Sequence, residues 1–185
     1  MAEKLPDKIE LDYSKIIHTI GNTIMKITII TTGGTIDKIY FDQKSDYEVG
    51  DSLVAALLEE AIVTADYKVL SILKKDSLDL TDQDRTLIHN AIKKDDASHF
   101  VITHGTDTMC ETANILKGMK GKVIVLTGAM QPARSRSTDA IFNIGAAFTA
   151  VQLLTPGVYI AMNGRVFDPD KCRKNRKQNC FEEIL

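Results

Sequence analysis

Several residue types and patterns that mark particular protein classes are scarce in this sequence. Its 185 residues contain no tryptophan, 6% aromatic residues and three cysteines. The cysteines are odd in number and lack metal-ligand spacing, which favours reduced thiols in a cytoplasm over a disulfide framework. No apolar run approaches the roughly 20 residues of a membrane span. The N-terminus has no apolar stretch after its first charges, so a secretory signal is not expected.

Positive and negative charges are nearly balanced, which argues against a protein that binds the phosphate backbone of nucleic acids through an excess of basic residues. The formal net charge is −2 and the isoelectric point is about 6.1. A basic run at 171–177 has no interleaved aromatic residues and is flanked by Asp170, Glu182 and Glu183. We therefore expect no nucleic-acid partner. No His/Asp/Glu set has metal spacing and no dinucleotide fingerprint is present, so neither a metal nor a cofactor is expected.

The chain divides into a short appendage and one domain. Residues 1–24 are polar and weakly periodic, and a second methionine, Met25, stands directly before the first clear strand. Translation starting at Met25 and a short docking helix around residues 15–20 are both open interpretations of this segment. Residues 25–185 are long enough for one cored domain.

From residue 26 onward, five short β-rich runs alternate with segments of helical period. Apolar residues recur four apart in 52–63, and Thr81 followed by Asp84 resembles a capping box that opens a helix. Nearly continuous apolar strands that alternate with helices predict parallel pairing with both sheet faces covered. The predicted fold is an open, mainly parallel α/β sheet, a flavodoxin- or Rossmann-like three-layer sandwich without a second domain. The predicted strands are 26–32, 67–73, 99–104, 122–128 and 157–163.

The first strand ends in an unusual way, with "TTGGTID" at residues 31–37. Two glycines allow a tight turn and a close backbone approach, so that Thr35 can project its hydroxyl over the sheet edge. An ordinary strand-to-loop turn explains the same residues. Ligands of open α/β sheets bind outside the carboxyl ends of the strands, which makes this edge the place to look for a site.

Two later strand ends supply more polar groups. "ITHGTDTMCET" puts Thr106 and Asp107 at the start of a helix, where N–H groups attract anions and a carboxylate can hold an ammonium group. Plain helix capping also accounts for both residues. "KDSLDLT" adds the hydroxyl of Ser77, which is otherwise a loop residue. Together these groups are suited to a zwitterion.

These segments resemble the L-asparaginase/glutaminase family of amidohydrolases. The motifs that carry the resemblance are "TGGTI" at 32–36, "HGTDTM" at 104–109 and "LTGAMQP" at 126–132, and it covers roughly residues 26–185. It implies a hydrolase that converts L-asparagine to L-aspartate and ammonia through a threonine acyl-enzyme, with L-glutamine as a minor substrate.

The resemblance also implies roles for individual residues. Thr35 matches the nucleophile, Tyr47 a tyrosine on a mobile loop, and Thr106 and Asp107 the second threonine and the ammonium-binding aspartate. Ser77 matches the serine that holds the substrate α-carboxylate. The full set of substrate-binding residues it implies is Gly34, Asp76, Ser77, Gly105, Thr106, Asp107 and Ala129. The proton of Thr35 passes to Tyr47 or to Thr106 relayed to a lysine, and both routes are open.

The lysine is where the sequence departs from the family pattern. The resemblance implies a lysine partner for the Thr-Asp pair on the helix after "GAM", and that helix has none here. Lys171 and Lys174 are the candidate substitutes, and we assign Lys174 the catalytic role. Solvated charges are the other interpretation of both.

The resemblance further implies a second, smaller domain, beginning about where "NCFEEIL" stands, and a homo-oligomer in which a neighbouring subunit completes the pocket. A natural short form and a fragment are both compatible with the sequence. We expect a cytoplasmic protein with a small-molecule substrate and no membrane partner. The competing function is a non-catalytic relative that binds asparagine or aspartate as a sensor.

Overall fold

The computed structural model describes residues 25–41 and 46–184; the predicted appendage at 1–24 lies outside the described residues. A six-stranded sheet with the order β4-β1-β5-β6-β7-β8 forms the centre of the molecule. The first five strands in this order are mutually parallel and β8 is antiparallel to β7. The sheet strands are β1 (Ile27–Gly33), β4 (Tyr67–Lys75), β5 (His99–Thr103), β6 (Val123–Thr127), β7 (Gly157–Met162) and β8 (Arg165–Phe167).

Two antiparallel hairpins lie outside this sheet. One joins β2 (Lys38–Phe41) to β3 (Asp46–Val49), and the other joins β9 (Cys172–Asn175) to β10 (Cys180–Glu183). The five predicted parallel strands are confirmed. Neither β8 nor the hairpins are predicted from the sequence, because their strands are only three or four residues long and carry many charges.

The described chain has four α-helices, and they cover both sheet faces. Helices α2 and α3 enclose one apolar cluster, which includes Ile88, Phe100 and Leu116. Helices α1 and α4 enclose the other, which includes Leu58, Val125 and Phe148. The prediction of a three-layer α/β architecture is therefore confirmed. The helices are α1 (Val54–Glu60), α2 (Asp82–Lys94), α3 (Met109–Leu116) and α4 (Ala140–Leu153).

The helical periodicity predicted most, but not all, of the buried positions. Thr81 and Asp84 form a reciprocal capping box at the start of α2, as the sequence indicates. Ile62 is exposed instead of buried, because α1 ends at Glu60 and Ile62 has a positive φ of 53°. In α4, the side with Ile144, Phe148 and Val151 faces the sheet, and Ile141 is exposed. Among the described residues, no helix is long and apolar enough to cross a membrane.

Candidate active site

The two glycines after β1 shape the turn that presents Thr35. Gly33 and Gly34 have φ values of 99° and 88°, a conformation that residues with a Cβ rarely adopt. A Cβ on Gly33 would also lie 2.6 Å from the backbone of Lys75. Thr35 then begins a short 3-10 turn, Thr35–Asp37, and its side chain is partly exposed. The strand-end geometry predicted from "TTGGTID" is present.

Gly34 brings the chain after β1 into contact with the chain after β5. A Cβ on Gly34 would lie 2.4 Å from the Cα of Gly105, so the two backbones are in direct contact. The strands behind them are paired in parallel, with Thr31 opposite Thr103. Thr35 and Thr106 each follow one of these touching glycines. The two threonines therefore leave the sheet from adjoining points.

Ser77 lies beneath this contact. Its side chain is 1% exposed, and a Cβ on Gly105 would lie 2.6 Å from Ser77 Oγ. Ser77 Oγ has no hydrogen-bond partner in the described chain. A buried hydroxyl without a partner costs free energy, so this group is suited to a ligand. The backbone carbonyl of Ser77 is fixed by a hydrogen bond from Thr108 Oγ1 at 2.8 Å.

Asp76 already has two partners of its own. Its carboxylate accepts a hydrogen bond from the Leu78 N–H and forms an ion pair with Lys38 at 2.6 Å. Partial burial alone would raise the pKa of Asp76, but the hydrogen bonds from Lys38 and from the backbone keep it below its usual value. In this structure Asp76 orients the turn that carries Ser77, and its role as a substrate ligand stays a prediction.

Lys174 lies against Thr106 and Asp107. Its Nζ donates to Thr106 Oγ1 at 2.7 Å and lies 3.2 Å from Asp107 Oδ1. Thr106 is 3% exposed and the Lys174 side chain 16% exposed, so the contact is largely shielded from water. Arg176 approaches the same Asp107 oxygen at 3.1 Å, a contact that the sequence analysis did not predict. Lys171, the other candidate, is exposed in the 3-10 turn Pro169–Lys171.

The β9–β10 hairpin holds Lys174 in place. Phe181 of β10 is buried in the same cluster as Leu116, and its N–H donates to Asn163 Oδ1 at 2.8 Å. Lys174 pairs with Phe181 in the hairpin register. The lysine that contacts Thr106 therefore comes from β9, a strand packed into the core, and not from α4, which has no lysine.

Tyr47 is in a different situation. It pairs with Tyr40 across the β2–β3 hairpin, with ring centroids 5.3 Å apart, and it is 52% exposed. Its backbone N–H donates to Asp46 Oδ1 at 2.7 Å. Both contacts lie within the hairpin itself. The described contacts thus join Gly34, Ser77, Gly105, Thr106, Asp107 and Lys174, and they do not include Tyr47.

The loop after β6 closes another side of the site. Ala129 is fully buried, and a Cβ on the preceding Gly128 would lie 2.3 Å from the carbonyl oxygen of His104. Farther along this loop, the Ala133 N–H donates to the Ile36 carbonyl at 2.9 Å. The loop that contains Ala129 is therefore fastened to both the Thr35 turn and the end of β5.

His104 is buried, and both of its ring nitrogens have hydrogen-bond partners. Its Nδ1 donates to the Gly105 carbonyl at 2.7 Å, and its Nε2 lies 2.8 Å from Thr112 Oγ1. Burial, reinforced by Arg85, lowers the pKa of His104 to about 4 despite the hydrogen bond to Gly105. The neutral ring fixes the peptide that precedes Thr106.

Asp37 is a second buried ionisable group that the sequence did not reveal. Burial raises its pKa to about 6, although hydrogen bonds from Ser52 and from the Leu53 backbone act in the opposite direction. Its carbonyl accepts from the Gly50 N–H at 2.8 Å, so Asp37 ties the Thr35 turn to the chain after β3. A single aspartate in a turn has no pattern that predicts such burial.

Fold and site together define the class of this protein. It is an open α/β protein with hydroxyl, carboxylate and ammonium groups gathered at the carboxyl ends of its parallel strands. The L-asparaginase of Thermococcus kodakarensis has the same fold, with a TM-score of 0.73 and 27% sequence identity over 86% of this chain and 51% of that one.

Sequence comparison assigns the family. Residues 26–183 match the N-terminal domain model of asparaginases. L-asparaginase 2 of Escherichia coli (strain K12) is 38% identical over 157 residues, which cover 77% of this chain and 44% of that protein. One component of the glutamyl-tRNA(Gln) amidotransferase of Methanococcus maripaludis is 33% identical over 158 residues, 78% of this chain and 36% of that protein. The chain belongs to the asparaginase family, and it spans less than half the length of these curated relatives.

Proposed function

We propose that this chain hydrolyses the side-chain amide of L-asparagine to L-aspartate and ammonia, with L-glutamine as a minor substrate. The observation that carries the proposal is the contact of Gly34 with Gly105, because Thr35 and Thr106 directly follow these two glycines and Thr106 is bonded to Lys174. Family membership supports the same chemistry, since the relatives named above include L-asparaginases.

The polar groups that follow the strand ends can bind the α-carboxylate and the α-ammonium group of an amino acid. The unpartnered Ser77 Oγ can donate to the α-carboxylate, which would satisfy a buried hydroxyl. Lys174 and Arg176 both approach Oδ1 of Asp107, so we assign Oδ2 of Asp107 to the α-ammonium group. A serine after β4 and an aspartate after β5, the two strands that flank β1, thereby bind both charges of one zwitterion.

Thr35 is the proposed nucleophile. Its Oγ1 bonds to the side-chain amide carbon, the C–N bond breaks, and the hydroxyl proton is transferred so that ammonia leaves. Water then attacks the acyl-threonine ester, which releases aspartate and restores the hydroxyl. Backbone N–H groups at the strand ends stabilise the oxyanion in both steps. The Gly34 N–H is not one of them, because it is bonded to the Lys75 carbonyl at 2.9 Å.

Thr106 and Lys174 form the proposed proton relay. Because Lys174 donates to Thr106 Oγ1, the hydroxyl hydrogen of Thr106 is free to point toward the reacting nitrogen. Thr106 can give that proton to the leaving nitrogen as it takes up the proton of Thr35, so that one proton moves from Thr35 to ammonia while Lys174 keeps donating to Thr106 Oγ1. Tyr47 remains the other candidate for accepting the proton of Thr35, since a movement of its hairpin could bring its hydroxyl closer. A homo-oligomeric assembly and a cytoplasmic location stay predictions.

Ammonia release by the purified chain tests the function. We expect release from asparagine, slower release from glutamine, and a loss of at least about 10³-fold in kcat for Thr35→Ala. Thr35→Ser keeps a hydroxyl at the same position and is the matched control, so it should retain measurable turnover. Asparagine binding without ammonia release would instead establish the binding-protein alternative.

A further inference from the structure

Two of the three cysteines lie side by side, although they are far apart in the sequence. The Sγ atoms of Cys110 and Cys172 are 3.6 Å apart, and Cys110 Sγ is also 3.6 Å from the Cys172 carbonyl oxygen. Cys110 is the second residue of α3, and Cys172 is the first residue of β9. The third cysteine, Cys180, lies 3.9 Å from Gln178 Oε1 and outside this pair.

We propose that Cys110 and Cys172 form a dithiol–disulfide couple, a modification site at which a small-molecule disulfide oxidant links helix α3 covalently to strand β9. Both thiols are free in this structure. A disulfide requires the sulfurs to approach to about 2.0 Å, which is a movement of roughly 1.5 Å from their present contact. Cys110 lies one residue from the start of α3, and Cys172 is the first residue of β9.

The two thiols are suited to different steps. Cys110 is partly exposed and stands at a helix N-terminus, so it is the group that an oxidant in solution can reach. The hydrogen bond from the Cys172 thiol lowers the pKa of Cys110, and the same interaction raises the pKa of Cys172. Cys172 is buried at 4% exposure, and its Sγ contacts that of Cys110. Cys110 is therefore the attacking thiol and Cys172 the resolving one.

The reaction is an ordinary thiol–disulfide exchange. The Cys110 thiolate attacks one sulfur of oxidised glutathione, which forms a mixed disulfide and expels one molecule of reduced glutathione. The Cys172 thiolate then attacks Cys110 Sγ and expels the second. Two protein thiols lose two electrons and two protons, and the oxidant gains them as two molecules of reduced glutathione.

The disulfide would stabilise the contact of Lys174 with Asp107. Cys172 stands two positions before Lys174, and Cys110 three positions after Asp107. A covalent link between Cys110 and Cys172 therefore encloses the Lys174–Asp107 ion pair in a small ring of residues. Oxidation should restrict separation of the β9–β10 hairpin from α3, because the chain can then open there only by breaking the disulfide.

The experiment uses the full chain with Cys180→Ser, which leaves only the proposed pair. After equilibration with oxidised glutathione, we expect both thiols to disappear and the mass to fall by two hydrogen atoms. Peptides containing residues 110 and 172 should stay joined until a reductant is added. We also expect the Tm to rise by about 5 °C or more, and trypsin to cut the hairpin after Arg173 and Arg176 more slowly.

Single variants separate the two roles. Cys172→Ser should accumulate a stable glutathione adduct on Cys110, and Cys110→Ser should show neither adduct nor crosslink at residue 172. The proposal is overturned if the Cys180→Ser chain keeps both thiols, forms separate adducts on both cysteines, crosslinks only between chains, or has a lower Tm once oxidised. None of these measurements depends on asparagine turnover, so they stand apart from the proposed function.

Discussion

The two hairpins that flank the sheet hold their functional candidates very differently. The β9–β10 hairpin has Phe181 buried in the core and presents Lys174 to Thr106 at 2.7 Å. The β2–β3 hairpin has Tyr40 and Tyr47 more than half exposed, with their ring centroids 5.3 Å apart. One hairpin is part of the folded core, and the other lies on its surface.

This difference divides the candidate site into two halves. The Thr106 half, with Asp107 and Lys174, is held together by direct contacts between these side chains. The Thr35 half has a fixed turn, but Tyr47 lies outside the described contacts of the site. We infer that binding and proton relay are preorganised, whereas any contribution from Tyr47 requires the β2–β3 hairpin to move.

The largest expected effect is the loss of Lys174. Lys174→Met keeps an unbranched chain but removes the donor to Thr106, so kcat for asparagine should fall by about 10³-fold. Arg176→Met is the matched control, because Arg176 also contacts Asp107 but is 71% exposed at its side chain. It should change kcat by less than about tenfold. Equal losses in the two variants would remove the special role of Lys174.

The next largest effect is on stability, and it should differ between the β9–β10 and β2–β3 hairpins. Phe181→Ala removes a buried aromatic ring and should lower the free energy of unfolding by about 3 kcal/mol. Tyr40→Ala removes a ring that is 53% exposed, and about 1 kcal/mol or less is expected. Urea denaturation gives both values. A cost for Tyr40→Ala as large as that for Phe181→Ala would show that the β2–β3 hairpin is equally part of the core.

The two halves also carry buried groups with opposite pH responses. The raised pKa of Asp37 means that its stabilising contribution is present below about pH 4 and is lost as the pH rises toward 6. The lowered pKa of His104 means that its contribution is present above about pH 6.5 and is lost as the pH falls toward 4. Between pH 4 and 6 these two contributions oppose each other.

Asp37→Asn should therefore leave the His104 response uncompensated. Relative to the wild type, the variant should gain on the order of 2 kcal/mol in unfolding free energy between pH 4 and pH 7. Thermal or urea unfolding at several pH values measures this difference. A difference that is constant across the range would mean that Asp37 ionises in the folded protein as it does in the unfolded chain.

The smallest expected effect concerns Tyr47. Tyr47→Phe keeps the ring contact with Tyr40 and removes only the hydroxyl, so we expect kcat to fall by about tenfold. Tyr40→Phe is the control and should have almost no effect on turnover. A loss for Tyr47→Phe as large as that for Lys174→Met would identify Tyr47 as the proton acceptor of Thr35.

The sequence predicted the central sheet well because each strand carries its own signal. Ile27, Ile29 and Ile30 lie in one β-branched run, and the glycines that follow define where that strand ends. The capping box at Thr81 is likewise local. These features depend on residues within a few positions of one another, so no tertiary information is needed to recognise them.

The lysine contact could be predicted only as a choice between candidates. Lys174 and Thr106 are 68 positions apart, and the strand that joins them is four residues long and charged. Nothing local distinguishes Lys174 from Lys171, because their difference arises from the burial of Phe181 on the partner strand. The burial of Asp37 and His104 has the same long-range origin.

The most direct test of the central claim is a crystal structure of the chain with L-aspartate bound. We expect one aspartate whose side-chain carboxylate lies between the hydroxyls of Thr35 and Thr106 and whose α-carboxylate accepts a hydrogen bond from Ser77 Oγ. An aspartate that contacts only one of the two threonines, or that binds away from the contact of Gly34 with Gly105, would contradict it.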